Sequence, residues 1–173
     1  GDKEGGDWIS GKGSFTRCNH LTNILFYDCK EIGNCTFQQC CAIQQINIPE
    51  GVTRIGESAF YQCKSLKSII IPNGVETIET DAFHGCGNLR KISFPPSLKE
   101  IKGYAFQDCS LDSISLPGLT YIGYQAFADN SNLKELRVPS TLEKIEERAF
   151  SGCNLEKVYA YTVLRSEEHT SEL

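Results

Sequence analysis

The chain has 173 residues, a formal net charge of -5, and 40% hydrophobic and 23% charged residues. That balance suits a folded chain of about one domain's length and excludes a disordered one. Its mixed, mildly acidic charge lacks the clustered Lys and Arg that nucleic acid needs, and no apolar run of about 18 residues is present to span a membrane.

Nine Cys and no Met are the unusual counts. Residues 1–6 have no basic flank leading into an apolar core, so no signal peptide is read. Residues 9–15 read as the second half of a repeat; with the absent Met, they lead to the expectation that the chain is a piece of a longer array.

From there one unit recurs. A small residue followed by Phe stands at Phe15, Phe37, Phe60, Phe83, Phe106, Phe127 and Phe150, at intervals of 22, 23, 23, 23, 21 and 23. Three residues after each Phe comes Cys18, Cys40, Cys63, Cys86, Cys109, Asn130 and Cys153. An aliphatic column follows at Leu21, Ile43, Leu66, Leu89, Leu111, Leu133 and Leu155, and then an I-x-I pair whose first members are Ile24, Ile46, Ile69, Ile92, Ile114, Leu136 and Val158. Pro49, Pro72, Pro95, Pro117 and Pro139 come next, then Val52, Val75, Leu98, Leu119 and Leu142, then Ile55, Ile78, Ile101, Ile122 and Ile145. The 21-residue interval reflects one deletion after Cys109 and one after Pro117.

The I-x-I alternation predicts a short strand with one face buried, ended by the Pro, which has no ladder N–H. The A-F-x-x-C stretch predicts a single helical or 3₁₀ turn. The first copy lacks Pro and is one residue short, so residues 27–32 are expected to form an irregular strand edge. No unit has enough apolar groups to close a core alone, and stacking buries the same columns again and again. Residues 1–164 are therefore read as one solenoid of about seven repeats of about 23 residues. The last nine, 165–173, break the pattern and resemble the in-frame translation of a common DNA sequencing adapter, and they are expected to be foreign to the protein.

The unit resembles the leucine-rich repeats, and more closely their BspA-like subclass, as residues 48–71 (IPEGVTRIGESAFYQCKSLKSIII) show. The resemblance implies an α/β fold: a right-handed curved solenoid with a parallel β-sheet on its concave side and short helical or 3₁₀ turns with irregular chain on the convex side. It also implies a cell-surface or secreted, adhesin-like setting, since BspA-like proteins are often adhesins of host-associated bacteria.

The Phe and Cys columns, represented by Phe37, Phe60, Phe83, Phe106, Phe127 and Phe150 and by Cys40, Cys63, Cys86, Cys109, Asn130 and Cys153, are read as core. Buried Cys behaves as a compact hydrophobe with a weak S–H donor, whereas zinc needs converging ligands and a disulfide needs converging Cβ vectors that stacked residues do not offer. Cys29 falls in the Val52 column and is also read as core, while Cys35 and Cys41 are off-column and either pair with each other or remain free thiols. Asn34-Cys35-Thr36 matches a glycosylation acceptor, a short signal.

No Ser, His and Asp recur in a converging pattern and no phosphate loop is present, so neither an enzyme nor a cofactor is read. What remains is the outward row of the strands, because side chains alternate between faces. Its members Leu25, Asn47, Ile70, Lys91, Ser93, Ser115, Glu135, Arg137, Lys157 and Tyr159 are the candidate binding residues for a protein ligand. An intracellular scaffold is the alternative reading, as is a spacer for an active domain elsewhere in a larger protein. An odd Cys count favours the scaffold's reducing compartment.

Overall fold

The computed structural model describes residues 13–160. Residues 9–12 of the expected half-repeat and the expected foreign tail lie outside the described residues.

Each coil of chain contributes two short strands. The I-x-I segments form β2 (Gln45–Ile46), β4 (Ser68–Ile70), β6 (Lys91–Ser93), β8 (Ile114–Ser115), β10 (Glu135–Val138) and β12 (Lys157–Ala160). Between them lie β1 (Glu31–Ile32), β3 (Arg54–Ile55), β5 (Thr77–Ile78), β7 (Glu100–Ile101), β9 (Tyr121–Ile122) and β11 (Lys144–Ile145). The odd-numbered strands make one six-stranded parallel sheet in chain order, and the even-numbered ones make two three-stranded parallel sheets, β2-β4-β6 and β8-β10-β12. The solenoid thus has two β-faces, where the sequence predicts one. The Pro corners join them: the Pro49 and Pro72 carbonyls accept from the N–H groups of Val52 and Val75 at 3.0 and 3.4 Å, turning the chain from one sheet to the other.

The even-numbered sheet is interrupted between β6 and β8, beside the deletion after Cys109. The two strands remain neighbours, tied by Ser110 N–H to the Leu89 carbonyl and Asp112 N–H to the Arg90 carbonyl, both at 3.1 Å.

The predicted helical or 3₁₀ turn is not found: no helix of either kind occurs among the described residues. Instead the residues two before and two after each Phe are left-handed, as at Ser58 and Gln62 (both φ 54°), Asp81 and Gly85 (58° and 72°) and Gln125 and Asp129 (51° and 61°). The reason lies in the hydrogen bonds. Phe60 N–H donates to Ala82 of the next coil and Gln62 N–H to His84, each at 2.7 Å, while Tyr61 and Cys63 donate back three residues to Ser58 and Phe60. Alternate amides leave the coil, so an i to i−4 ladder cannot form, and the corner is bonded between coils as a sheet is.

Inside the corner the Phe rings form a continuous stack. Phe37, Phe60, Phe83, Phe106 and Phe127 are buried, with centroids 5.1–5.5 Å apart. Phe150 continues the stack 5.3 Å from Phe127 but is half-buried in the last described coil, as is Cys153. Coils approach so closely that a Cβ on Gly123 would lie 2.5 Å from the Gly103 nitrogen, which explains the glycine there.

Candidate recognition face

The even-numbered strands alternate as predicted from β2 to β10: Ile46, Ile69, Ile114 and Leu136 are buried and Ile92 is half-buried, whereas every residue of β12, in the last described coil, is exposed. The ten candidate residues Leu25, Asn47, Ile70, Lys91, Ser93, Ser115, Glu135, Arg137, Lys157 and Tyr159 are all exposed. Parallel, in-register pairing sets equivalent positions side by side, Glu135 beside Lys157 and Arg137 beside Tyr159. The Lys157 ammonium lies 3.3 Å from Glu135, and the Arg137 guanidinium stands 4.5 Å over the Tyr159 ring. Exposed pairs of this kind are worth about 0–1 kcal/mol each, so they shape the surface more than they stabilise it. The face therefore has two characters: from Leu25 to Ser115 the outward candidates carry one charge, Lys91, whereas β10 and β12 present a mixed-charge and aromatic patch.

The other chemistry-bearing groups have structural roles. From Cys40 on, each column thiol donates to the Phe carbonyl of the preceding coil, as Cys63 does to Phe37 at 3.1 Å, Cys86 to Phe60 at 3.1 Å and Cys109 to Phe83 at 3.2 Å. Asn130 takes the same place through its amide, donating to Phe106 at 2.8 Å. No disulfide joins any of the nine cysteines, so Cys35 and Cys41 do not pair with each other. The Asn34 side-chain oxygen accepts from Arg54 at 2.9 Å and from Glu57 N–H at 3.1 Å, so the residue of the glycosylation-like motif is held as a link between coils. His84 lies 2.7 Å from Asp81 and 3.5 Å from Asp108 of the next coil. No group of three or more metal-ligating side chains is found among the described residues.

Burial pushes the Cys63, Cys86 and Cys109 thiols well above the ordinary thiol range, because desolvation penalises the thiolate. The folded state thus keeps protons that the unfolded state releases. Their contribution to stability is fully present below the unfolded thiol pKa and is lost as pH rises above it. The unfolding free energy is expected to fall between about pH 8.5 and 9.5, by up to about 1.4 kcal/mol per pH unit for each fully titrating thiol. Urea unfolding across that window tests this, with Cys63→Ala/Cys86→Ala/Cys109→Ala as the flatter comparison.

The second sheet and the left-handed corners are what sequence reasoning missed. The six-stranded sheet shows in the sequence only as one Ile per coil. The corners do leave a trace in Gly13, Gly85 and Gly152 and in Asp81, Asp108 and Asp129, residue types that tolerate positive φ.

Comparison with known proteins agrees with this architecture. The family described as BspA type Leucine rich repeat region matches residues 9–109 and 54–167, with six copies. A leucine-rich repeat protein of T. pallidum is 32% identical, with a TM-score of 0.65 over 66% of this chain and 57% of its own. One from Bacteroides ovatus is 29% identical, with a TM-score of 0.63 over 79% and 42%, and one from Eubacterium ventriosum is 27% identical, with a TM-score of 0.63 over 69% and 32%. This chain therefore spans less than two thirds of each of those proteins. No curated protein sequence matches it. Among the described residues no helix is long and apolar enough to cross a membrane. On the strength of its repeats and of the family match over nearly its whole length, the chain belongs to the BspA-type leucine-rich repeat family.

Proposed function

We propose that this chain is a non-enzymatic protein-recognition module that binds a protein ligand through the outward face of its even-numbered strands. The observation that carries the reading is the contrast between the two sides of the even-numbered strands. The first inward position is Ile, Leu or Val in every coil, while the outward positions range over Asn, Gln, Ser, Leu, Ile, Lys, Glu, Arg and Tyr, and the ten candidates among them are exposed. Packing dictates the inner side and leaves the outer side free to be shaped by a partner. The β10–β12 patch adds Arg and Tyr, residue types enriched at interfaces.

A cell-surface or secreted, adhesin-like setting is part of this proposal and rests on family membership. A second reading, an intracellular scaffold, is favoured by one observation: nine cysteines with no disulfide among them suit a reducing compartment.

Charge reversal tests the binding face. Arg137→Glu with Lys157→Glu is expected to weaken capture of a protein ligand at least about tenfold. Glu143→Lys, beside β11 on the other sheet, should leave it unchanged. Surface plasmon resonance on the protein that the unaltered chain retains measures both. Equal losses from the two variants would remove the proposal.

A further inference from the structure

The outward face is broken at its first coil, and we propose that the break is a docking groove in which an extended, uncharged peptide strand adds to the free edge of β2. The inference rests on the recognition reading above and narrows it to one end of the face and one class of partner.

β2 ends its sheet, pairing with β4 on one side through Gln45 with Ser68 and Ile46 with Ile69. On its other side residues 22–26 form no strand and line the facing wall of a groove. Their side chains are anchored: Ile24 and Phe26 pack on the core, and the Phe26 ring meets Phe37 edge-on at 6.2 Å. Their backbone, however, makes no hydrogen bond to residues 44–48 among the described residues. Later coils are bonded at this position, Lys67 N–H to the Gln44 carbonyl and Arg90 N–H to the Lys67 carbonyl, each at 3.0 Å; the corresponding bond from Gln44 N–H to the Thr22 carbonyl is missing.

Between the two walls lies a groove of about 680 Å³ lined by residues 22–26 and 44–49. None of those residues carries a charge. One wall therefore offers an open ladder edge and the other offers apolar and amide side chains, with Leu25 at the rim 71% exposed. An extended chain satisfies a ladder edge by supplying N–H and C=O groups, and its alternate side chains read the walls. A charged side chain here would lose hydration with no partner to replace it. Residues 22–26 mark out a strand of about five residues, roughly 17 Å at about 3.3 Å each.

The test uses a dye-labelled, end-capped heptapeptide of alternating Thr and Val, titrated with the full chain and followed by fluorescence anisotropy. Saturable binding is expected. N-methylation of either the Val set or the Thr set, but not both, should weaken it at least tenfold, because only one edge of the peptide can face β2. Leu25→Asp should weaken it at least tenfold, as should Lys in place of the peptide's Val residues. Glu143→Lys, beside β11 on the other sheet, should change nothing. Circular dichroism and the unfolding midpoint of Leu25→Asp confirm that the fold is kept. Absence of saturable binding overturns the inference, as does full affinity of both N-methylated peptides or a response to Glu143→Lys with none to Leu25→Asp. Ligand capture that still responds to Arg137→Glu with Lys157→Glu after any of those results leaves the recognition face standing and removes the groove alone.

Discussion

Phe83→Ala is expected to lower the unfolding free energy by about 3–5 kcal/mol. The ring is fully buried and stacked 5.1 Å from Phe60 on one side and 5.1 Å from Phe106 on the other. Truncation removes both aromatic contacts, each worth about 0.5–1.5 kcal/mol beyond area burial, and leaves a cavity besides. The coils cannot easily close on that cavity, because Phe60 N–H is bonded to Ala82 at 2.7 Å and Phe83 N–H to Ala105 at 2.8 Å. Ser93→Ala, on the outward row, should stay within about 0.5 kcal/mol of the unaltered protein. Stability in a solenoid is close to a sum of unit and nearest-neighbour terms. Phe15→Ala should therefore cost less than Phe83→Ala, since the Phe15 ring is 37% exposed. Urea unfolding followed by circular dichroism compares the three; equal, small effects at Phe83 and Ser93 would contradict the stacked register.

Asn130→Ala is expected to cost about 2–6 kcal/mol, the sum of two buried groups left unpaired at about 1–3 kcal/mol each. The residue does more than replace a thiol. In regular coils the N–H of the aliphatic column donates to the Cys carbonyl three residues back, Leu66 to Cys63 at 3.1 Å and Leu89 to Cys86 at 2.8 Å. Leu111 follows Cys109 by only two residues, so that bond is unavailable. The Asn130 side-chain oxygen accepts from Leu111 N–H at 3.1 Å, while its amide donates to the Phe106 carbonyl at 2.8 Å. The one coil without a column Cys is thus the coil that repairs its shortened neighbour. Asn130→Cys restores the donor to Phe106 but not the acceptor for Leu111, so it should recover about half of the loss. Amide hydrogen exchange at Leu111 should be faster than normal in both variants. Full recovery in Asn130→Cys would show that the shortened coil needs no repair.

Much of this was legible because the columns repeat. The seven Phe positions place the ring stack, six of the seven I-x-I pairs place the even-numbered strands while the first, at Ile24 and Phe26, forms none, and the alternation places the exposure of all ten outward candidates. The six-stranded sheet was not legible: strands such as Thr77–Ile78 contain one inward side chain each, too few to show a period of two. The corner was misread because Ala-Phe in E-S-A-F-Y-Q-C suggests a helical turn locally, while the amides of Phe60 and Gln62 are bonded to the next coil. Bonds between coils have no signature within one copy. The same holds for Asn130, whose second partner, Leu111, belongs to the preceding coil, and for the groove beside β2, which depends on a bond that residues 22–26 do not make.

The face assignment is tested most directly by site-specific photo-cross-linking. A benzophenone side chain placed in turn at Ser93 and Arg137 on the recognition face, at Thr77 on the opposite sheet and at Gln107 on the Phe corner samples all sides of the coil. Illumination in the presence of the protein ligand should give adducts from Ser93 or Arg137 and none from Thr77 or Gln107. Adducts confined to Thr77 or Gln107 would contradict the assignment of this face as the binding surface.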